Sequence, residues 1–240
     1  MESSGTSNPT KERILGDIRR ALKRTASSAP VVPEKRTCQS PEEIHKKSEL
    51  QRPDLIKQFE SELTRIGVRF YKAANFDEAS RYVERVALEH QAKQIVTWDS
   101  PIIDQSGVSS RLSQRGVDVL TENADNFLST AAVAEIGVSG VDYAISDTGT
   151  LVVFARKGQA RSISLLPPIH IALVKIDQIV ANIGDLFDLL SPVAARNSQD
   201  LWSAITFITG PSRTADIELK LVVGVHGPQQ LHVVLLDSHS

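Results

Sequence analysis

Between Thr209 and His226 the chain gathers groups that can do chemistry. They stand in Thr209-Gly210-Pro211-Ser212-Arg213-Thr214-Ala215-Asp216-Ile217-Glu218 and in Gly224-Val225-His226-Gly227-Pro228. A loop that only reverses direction needs one or two turn residues. Hydroxyls, a guanidinium, two carboxylates and an imidazole between apolar runs point instead to a site carried on loops by a rigid sheet. Arg213 has the planar fork that grips a carboxylate or phosphate through paired hydrogen bonds. Ser212, Thr214 and the local amides can add donors. Asp216 and Glu218 alternate as they would on one face of an extended segment. There they would orient Arg213, bind a polar ligand or act as acid and base. A surface loop with a local ion pair accounts for the same residues. Gly224 and Gly227 leave the backbone near His226 open to a ligand.

Two further stretches share this ambiguity. Ser146-Asp147-Thr148-Gly149-Thr150 joins two apolar runs. Asp147 and Thr148 can bond their own backbone and Gly149 permits positive φ, which describes a tight turn. The same residues could cradle an anion or hydroxy acid with exposed amides and two threonine hydroxyls. Leu165-Leu166-Pro167-Pro168-Ile169-His170 enters an apolar run through two prolines that stiffen the entry. His170 is then a hydrogen-bonded structural residue or a ligand contact at a strand start. Glu135 reads as a strand glutamate or as a carboxylate nucleophile.

Composition narrows the chemistry. The 240 residues are 41% hydrophobic with a net charge of −2, so no global field attracts nucleic acid or an anionic membrane. One cysteine, Cys38, cannot form an internal disulfide, and an iron–sulfur cluster normally takes four thiolates. No cofactor is expected in this chain. The histidines at 45, 90, 170, 226, 232 and 239 show no metal-ligand spacing, so no metal is expected either. Dinucleotide, phosphate-loop, zinc-helix and nucleophile-elbow signatures are absent. The serine- and threonine-rich start lacks the apolar core of a signal peptide, and no run reaches the length of a membrane span. The expected location is cytoplasmic.

These residues need a frame. Residues 1–39 read as a helical arm and linker. Thr10 caps a short helix whose Ile14, Leu15, Ile18 and Leu22 share a face, and residues 26–33 are rich in Ser, Ala and Pro. Such an arm docks on its own domain or captures a partner. The α/β domain spans 40–240. Ser40-Pro41-Glu42-Glu43 starts a long helix to about Ile66, interrupted at Pro53. Val68–Tyr71, Gln94–Trp98 and Val117–Leu120 are strands, separated by helices over Asp77–His90 and Ile102–Arg115. This alternation predicts parallel strands. The second half is strand-rich: 134–139, 143–146, 150–154, 169–174, 204–209, 221–225 and 231–236. Helices are expected there at Ile183–Leu190 and before Trp202. One large sheet with helices on both faces is the expected object.

The stretches 137–151, 165–174, 210–218 and 224–228, taken in order, resemble the lactate-utilization (LUD) domain family over roughly residues 40–237. The resemblance implies a three-layer α/β/α sandwich like that of ribose-5-phosphate isomerase, glucosamine-6-phosphate deaminase and CoA transferases. It implies a role in oxidising L-lactate to pyruvate beside two iron–sulfur partner proteins, which would carry the clusters. Larger family members hold cluster-binding cysteines after the shared domain, and these 240 residues do not include them. The chain is therefore expected to be a non-redox component, binding a small carboxylate in one version. An alternative is a stand-alone enzyme on a phosphosugar or acyl-CoA, with Arg213 holding the anion and Asp147, Glu218 or His226 moving protons. A third is an interaction module using the helix of residues 10–24. A homodimer is compatible with each.

Overall fold

The computed structural model describes residues 13–17, 20, 38–124, 127–194, 202–215, 221–224 and 226–237. The chain divides into two compact units, Met1–Cys38 and Gln39–Ser240. In the first, residues 13–17 are helical (α1).

Ser40 opens α2 (Pro41–Leu50) with a reciprocal cap. Its hydroxyl accepts from the Glu43 amide at 3.2 Å and its own amide donates to the Glu43 carboxylate at 2.8 Å. Pro53 lacks an N–H, and the chain restarts as α3 (Arg52–Arg65), which buries Leu55, Phe59 and Leu63 at helical spacing. β1 (Arg69–Ala73), α4 (Phe76–Glu89) and β2 (Gln94–Thr97) follow. The single helix expected over Ile102–Arg115 is two, α5 (Pro101–Ser106) and α6 (Val108–Ser113). Gly107 between them adopts φ 65°, a left-handed conformation that ends one helix before the next begins.

The remaining elements are β3 (Asp118–Thr121), α7 (Phe127–Val133), β4 (Ile136–Ser139), β5 (Tyr143–Ile145), β6 (Thr150–Ala155), α8 (Ser162–Leu165), β7 (Ile169–Lys175), β8 (Ile179–Val180), α9 (Ile183–Ala194), β9 (Ala204–Ile208), β10 (Arg213–Ala215), β11 (Leu221–Val223) and β12 (Gln230–Leu236). Six of the strands make one sheet in the order β1-β12-β7-β4-β2-β3, every neighbouring pair parallel. Its two faces follow from the register. Gly137, His170 and Leu231 stand side by side and face α8, whose Ile163 carbonyl presses on Gly137. Val138, Ile171 and His232 point the other way, where His232 meets Tyr82 of α4. Phe70 of β1 shares the α8 face and packs edge-on against Phe59 of α3, with ring centroids 6.5 Å apart. The sheet thus carries helices on both faces.

One large sheet was the expectation, and here the structure differs. β8-β5-β6-β9 form a second, mixed sheet, and β10 and β11 a two-stranded ribbon. β6 explains the split. Its Leu151 and Val153 enter the main core, whereas Val152 and Phe154 enter a second core with Ile44, Leu186, Leu189 and Leu190. A strand apolar on both faces needs a layer on each side. The second sheet supplies that layer between the main body and α9. The helix expected before Trp202 lies outside the described residues.

Candidate functional site

Strand direction sorts the sequence-predicted residues. Asp147–Thr150, Thr209–Arg213, His226–Pro228 and the start of β7 all lie at the amino end of the six-stranded sheet, around the last turn of α3. Gly149 takes φ 63°, and a Cβ there would stand 3.0 Å from the Leu63 amide nitrogen, so the β5–β6 turn rests directly on the helix backbone. A side chain would lift it away.

Hydroxyls link the turn to the next loop. Thr148 Oγ1 and Thr150 Oγ1 are 2.8 Å apart, and Thr150 Oγ1 and Thr209 Oγ1 are also 2.8 Å apart. Thr150 is buried, whereas Thr148 and Asp147 are exposed, so this chain of hydroxyls opens to solvent at Thr148. The Ser212 amide donates to the Pro228 carbonyl at 2.8 Å, and the Gly224 amide to the Ser212 carbonyl at 3.0 Å. A Cβ on Gly227 would meet Ser212 Cβ at 3.3 Å. The Gln229 amide then bonds Pro168, two residues before His170. Three loops far apart in sequence are laced into one belt.

Arg213 is exposed, and its Nη2 donates to the Ile66 carbonyl at 2.9 Å. That carbonyl belongs to the C-cap residue of α3, where the helix presents partial negative charge. The guanidinium therefore caps a helix, and its planar fork has further N–H groups beside the one it spends there. Thr214 lies in β10. Asp216 and Glu218 lie outside the described residues. His226 is exposed and Gly227 half-buried.

His170 is fully buried and does not open on the surface. The Ser139 hydroxyl donates to the Gly140 carbonyl at 2.8 Å, so His170 Nε2–H donates to Ser139 Oγ, also at 2.8 Å. Nδ1 is left as an acceptor without a partner among the described residues. Burial, with a smaller push from His232, drives its pKa down to about 3. Neutral His170 is an internal strut rather than a proton carrier at neutral pH.

The sequence reading passed over His232. It is equally buried, shares a 3.0 Å hydrogen bond with the Tyr82 hydroxyl through Nδ1 and sits 3.5 Å from Gln230 Oε1 through Nε2. Burial first, then Arg69, His90 and Arg85, lowers its pKa to about 4. Tyr82 stacks on Tyr71 at 4.4 Å, Arg85 lies over both rings, and Tyr71 donates to Glu78. That hydrogen bond, aided by the Ala74 amide, holds the Glu78 carboxyl below the usual carboxylate range. No spacing in the sequence signals this network, because its members come from β1, α4 and β12.

Glu135 accepts from the Gln94 amide at 2.9 Å and the Lys93 amide at 3.3 Å, tying β4 to the start of β2. Of its two readings, this geometry is that of a strand glutamate. Among the described residues, no group of three or more His, Cys, Asp or Glu is arranged to hold a metal ion, and no helix is long and apolar enough to cross a membrane.

Comparison with known proteins gives these loops a context. The LUD domain profile matches residues 56–236, which include all four motif stretches. Lactate utilization protein C of Halalkalibacterium halodurans is 34% identical over 167 residues, covering 69% of this chain and 72% of that protein. Its namesake from Anoxybacillus flavithermus is 34% identical over 187 residues, covering 77% and 80%. The crystal structure of a DUF162 family protein from Deinococcus radiodurans superposes with a TM-score of 0.55 at 21% identity, over 77% of this chain and 98% of that one, a likeness of fold. Matched across most of its length by the profile and by these relatives, the chain belongs to the LUD domain family.

Proposed function

We propose that this chain serves the oxidation of L-lactate to pyruvate as a non-redox component, working with iron–sulfur partner proteins and binding a small carboxylate. The observation that carries the reading is kinship: relatives called Lactate utilization protein C match it at 34% identity over most of both chains. The chemistry of its side chains agrees. Cys38 is the one thiol in 240 residues, and a cluster takes four. Electrons from lactate then pass to the partners' clusters. On the same grounds we group the fold with the ribose-5-phosphate isomerase and CoA transferase-like folds, supported by six parallel strands with helices on both faces.

In this reading the carboxylate docks at the amino-end belt. Arg213 stands between the carbonyl end of α3 and solvent, so it can bind the Ile66 carbonyl with one N–H and a carboxylate with others. Thr148, at the open end of the hydroxyl chain, is a further donor on the same belt. Purification from the host grown on L-lactate tests the main reading. Iron–sulfur proteins should copurify, and lactate oxidation should fall when this chain is stripped away. Unchanged growth on L-lactate after deletion, with no paralogue present, overturns it. Arg213→Lys tests the ligand, since lysine keeps the charge without the fork. L-Lactate binding should weaken while folding is kept.

A further inference from the structure

The second sheet ends on a strand whose outer side meets no described strand. β9 pairs antiparallel with β6 along one side and closes the order β8-β5-β6-β9. No other backbone hydrogen bond joins Ala204–Ile208 to a described residue. An open edge is a template for another strand, and proteins blunt it with charge, brevity or a covering element. The other sheet edges are blunted in these ways. β1 carries exposed Arg69 and Lys72, and β3 has four residues led by exposed Asp118. β8 is two buried residues, and the ribbon strands have three residues each. β9 has none of these devices. No charged residue stands between Ser203 and Ser212. Its partner β6 is buried at every position, whereas no residue of β9 is, and Phe207 is 40% exposed.

The register with β6 fixes the two faces of β9. Ile205 and Phe207 lie opposite Phe154 and Val152, on the side of the second core. Ala204, Thr206 and Ile208 lie opposite Ala155, Val153 and Leu151, on the side of the main core. An antiparallel copy of the same strand, with Thr206 on the two-fold axis, complements this edge. Thr206 faces Thr206. Ala204 faces Ile208, so a small side chain stands against a large one. Ile205 faces Phe207, a β-branched side chain against an aromatic ring, and the symmetry makes that pair twice. This register pairs all five residues, and any shift leaves some of them unpaired. Facing residues of antiparallel strands share a face, so each apolar side of one copy continues into the same side of the other.

We infer that β9 is the interface through which two copies of this chain associate, joining their second sheets into one continuous eight-stranded sheet. Pairing satisfies the outward N–H and C=O groups of the edge. A foreign strand finds no charge on β9 to recognise, so selectivity rests on shape, and the shape fits itself. The same symmetry places the two amino-end belts. Thr209 lies three residues beyond the axis, about 10 Å away at about 3.4 Å per residue. The two hydroxyl chains that end on Thr209 then stand about 20 Å apart, one on each side of the axis. The interface does not rest on the lactate reading and stands if that reading fails.

Light scattering of the full chain behind size exclusion, at about 100 μM and so above a micromolar Kd, tests the inference. A mass near twice the 26.2 kDa of one chain is expected. Phe207→Lys should raise the dimer Kd at least about tenfold. Phe207→Thr, the milder variant, should raise it less and keep the circular dichroism of the wild type, and it carries the test if Phe207→Lys fails to fold. Leu128→Lys, at an exposed apolar position on α7, should leave the dimer unchanged. Cross-linking reads the register. In a Cys38→Ser background, the Thr206→Cys thiols face each other across the axis, where facing Cβ atoms are about 4.5–5.5 Å apart. That variant should form a covalent dimer under mild oxidation, and Ile208→Cys, which faces Ala204, should not. A monomer at about 100 μM overturns the inference. So does a dimer that both Phe207 variants leave intact, one that Leu128→Lys disrupts instead, or one in which Thr206→Cys cross-links no faster than Ile208→Cys.

Discussion

The two buried imidazoles predict a sharp acid sensitivity. His170 and His232 are fully buried, and the fold holds them neutral with pKa values of about 3 and about 4. The unfolded chain protonates each at about 6.5. As pH falls below that value the unfolded state takes up protons that the folded state refuses, so stability is full above about pH 6.5 and is lost toward acid. At pH 5 each histidine has crossed about 1.5 pH units of that window, worth about 2 kcal/mol at about 1.36 kcal/mol per unit. Together they remove about 4 kcal/mol from a domain whose whole stability is of order 5–15 kcal/mol. Glu78 and Glu84, held low by Tyr71 and by Arg115 respectively, contribute stability that is lost only below the ordinary carboxylate value of 4.5, so their effect falls outside this range. Urea unfolding followed by tryptophan fluorescence at about pH 7.5 and about pH 5 gives the difference directly. His232→Gln, which can keep a hydrogen bond to Tyr82 and cannot titrate, should recover about half of the loss. Stability equal at the two pH values within about 1 kcal/mol would refute the reasoning, as would imidazole proton resonances of the folded protein titrating near 6.5.

Other positions carry equally specific expectations. In Gly137→Ala the new Cβ would lie 1.9 Å from the Ile163 carbonyl oxygen, so β4 and α8 must part. A loss of about 3 kcal/mol or more, read by urea unfolding or soluble yield, is expected. Gly149→Ala forces an L side chain into φ 63° against the Leu63 amide and should cost about 1–2 kcal/mol by chemical denaturation. Lys47→Met removes the 3.1 Å partner of Asp185, a carboxylate only 2% exposed. About 1–3 kcal/mol should be lost, with much of it regained on adding Asp185→Asn. Thr150→Val breaks the hydroxyl chain in its middle and should lower stability by about 1 kcal/mol, measured as a shift in the urea midpoint.

Much of the scaffold was legible because it is local. The run Ile169–Val174, short, apolar and entered through two prolines, reads as a buried strand, and the structure places β7 there, in the middle of the sheet. Ser40 and Glu43 announce their cap within one turn. The alternation of the first half and its parallel strands follow from the same short-range periodicity. The polar loops could be recognised as unusual, because their composition exceeds what a turn needs. Gly107 was the local signal that was missed, since a glycine inside an apolar helical pattern looks tolerable until its φ is known.

What the tertiary structure decided depends on contacts between distant residues. Whether β6 joins the main sheet or starts another depends on α9 covering its second face, and periodicity does not say what covers a strand. The hydroxyls of Thr150 and Thr209 meet across 59 positions, and Tyr82 and His232 across 150. Sequence specified most of the strands through their own burial patterns, but not the short β8 and β10, which the packing around them creates. The order of the strands, and so the site each end can build, came from the one packing that buries all those faces at once.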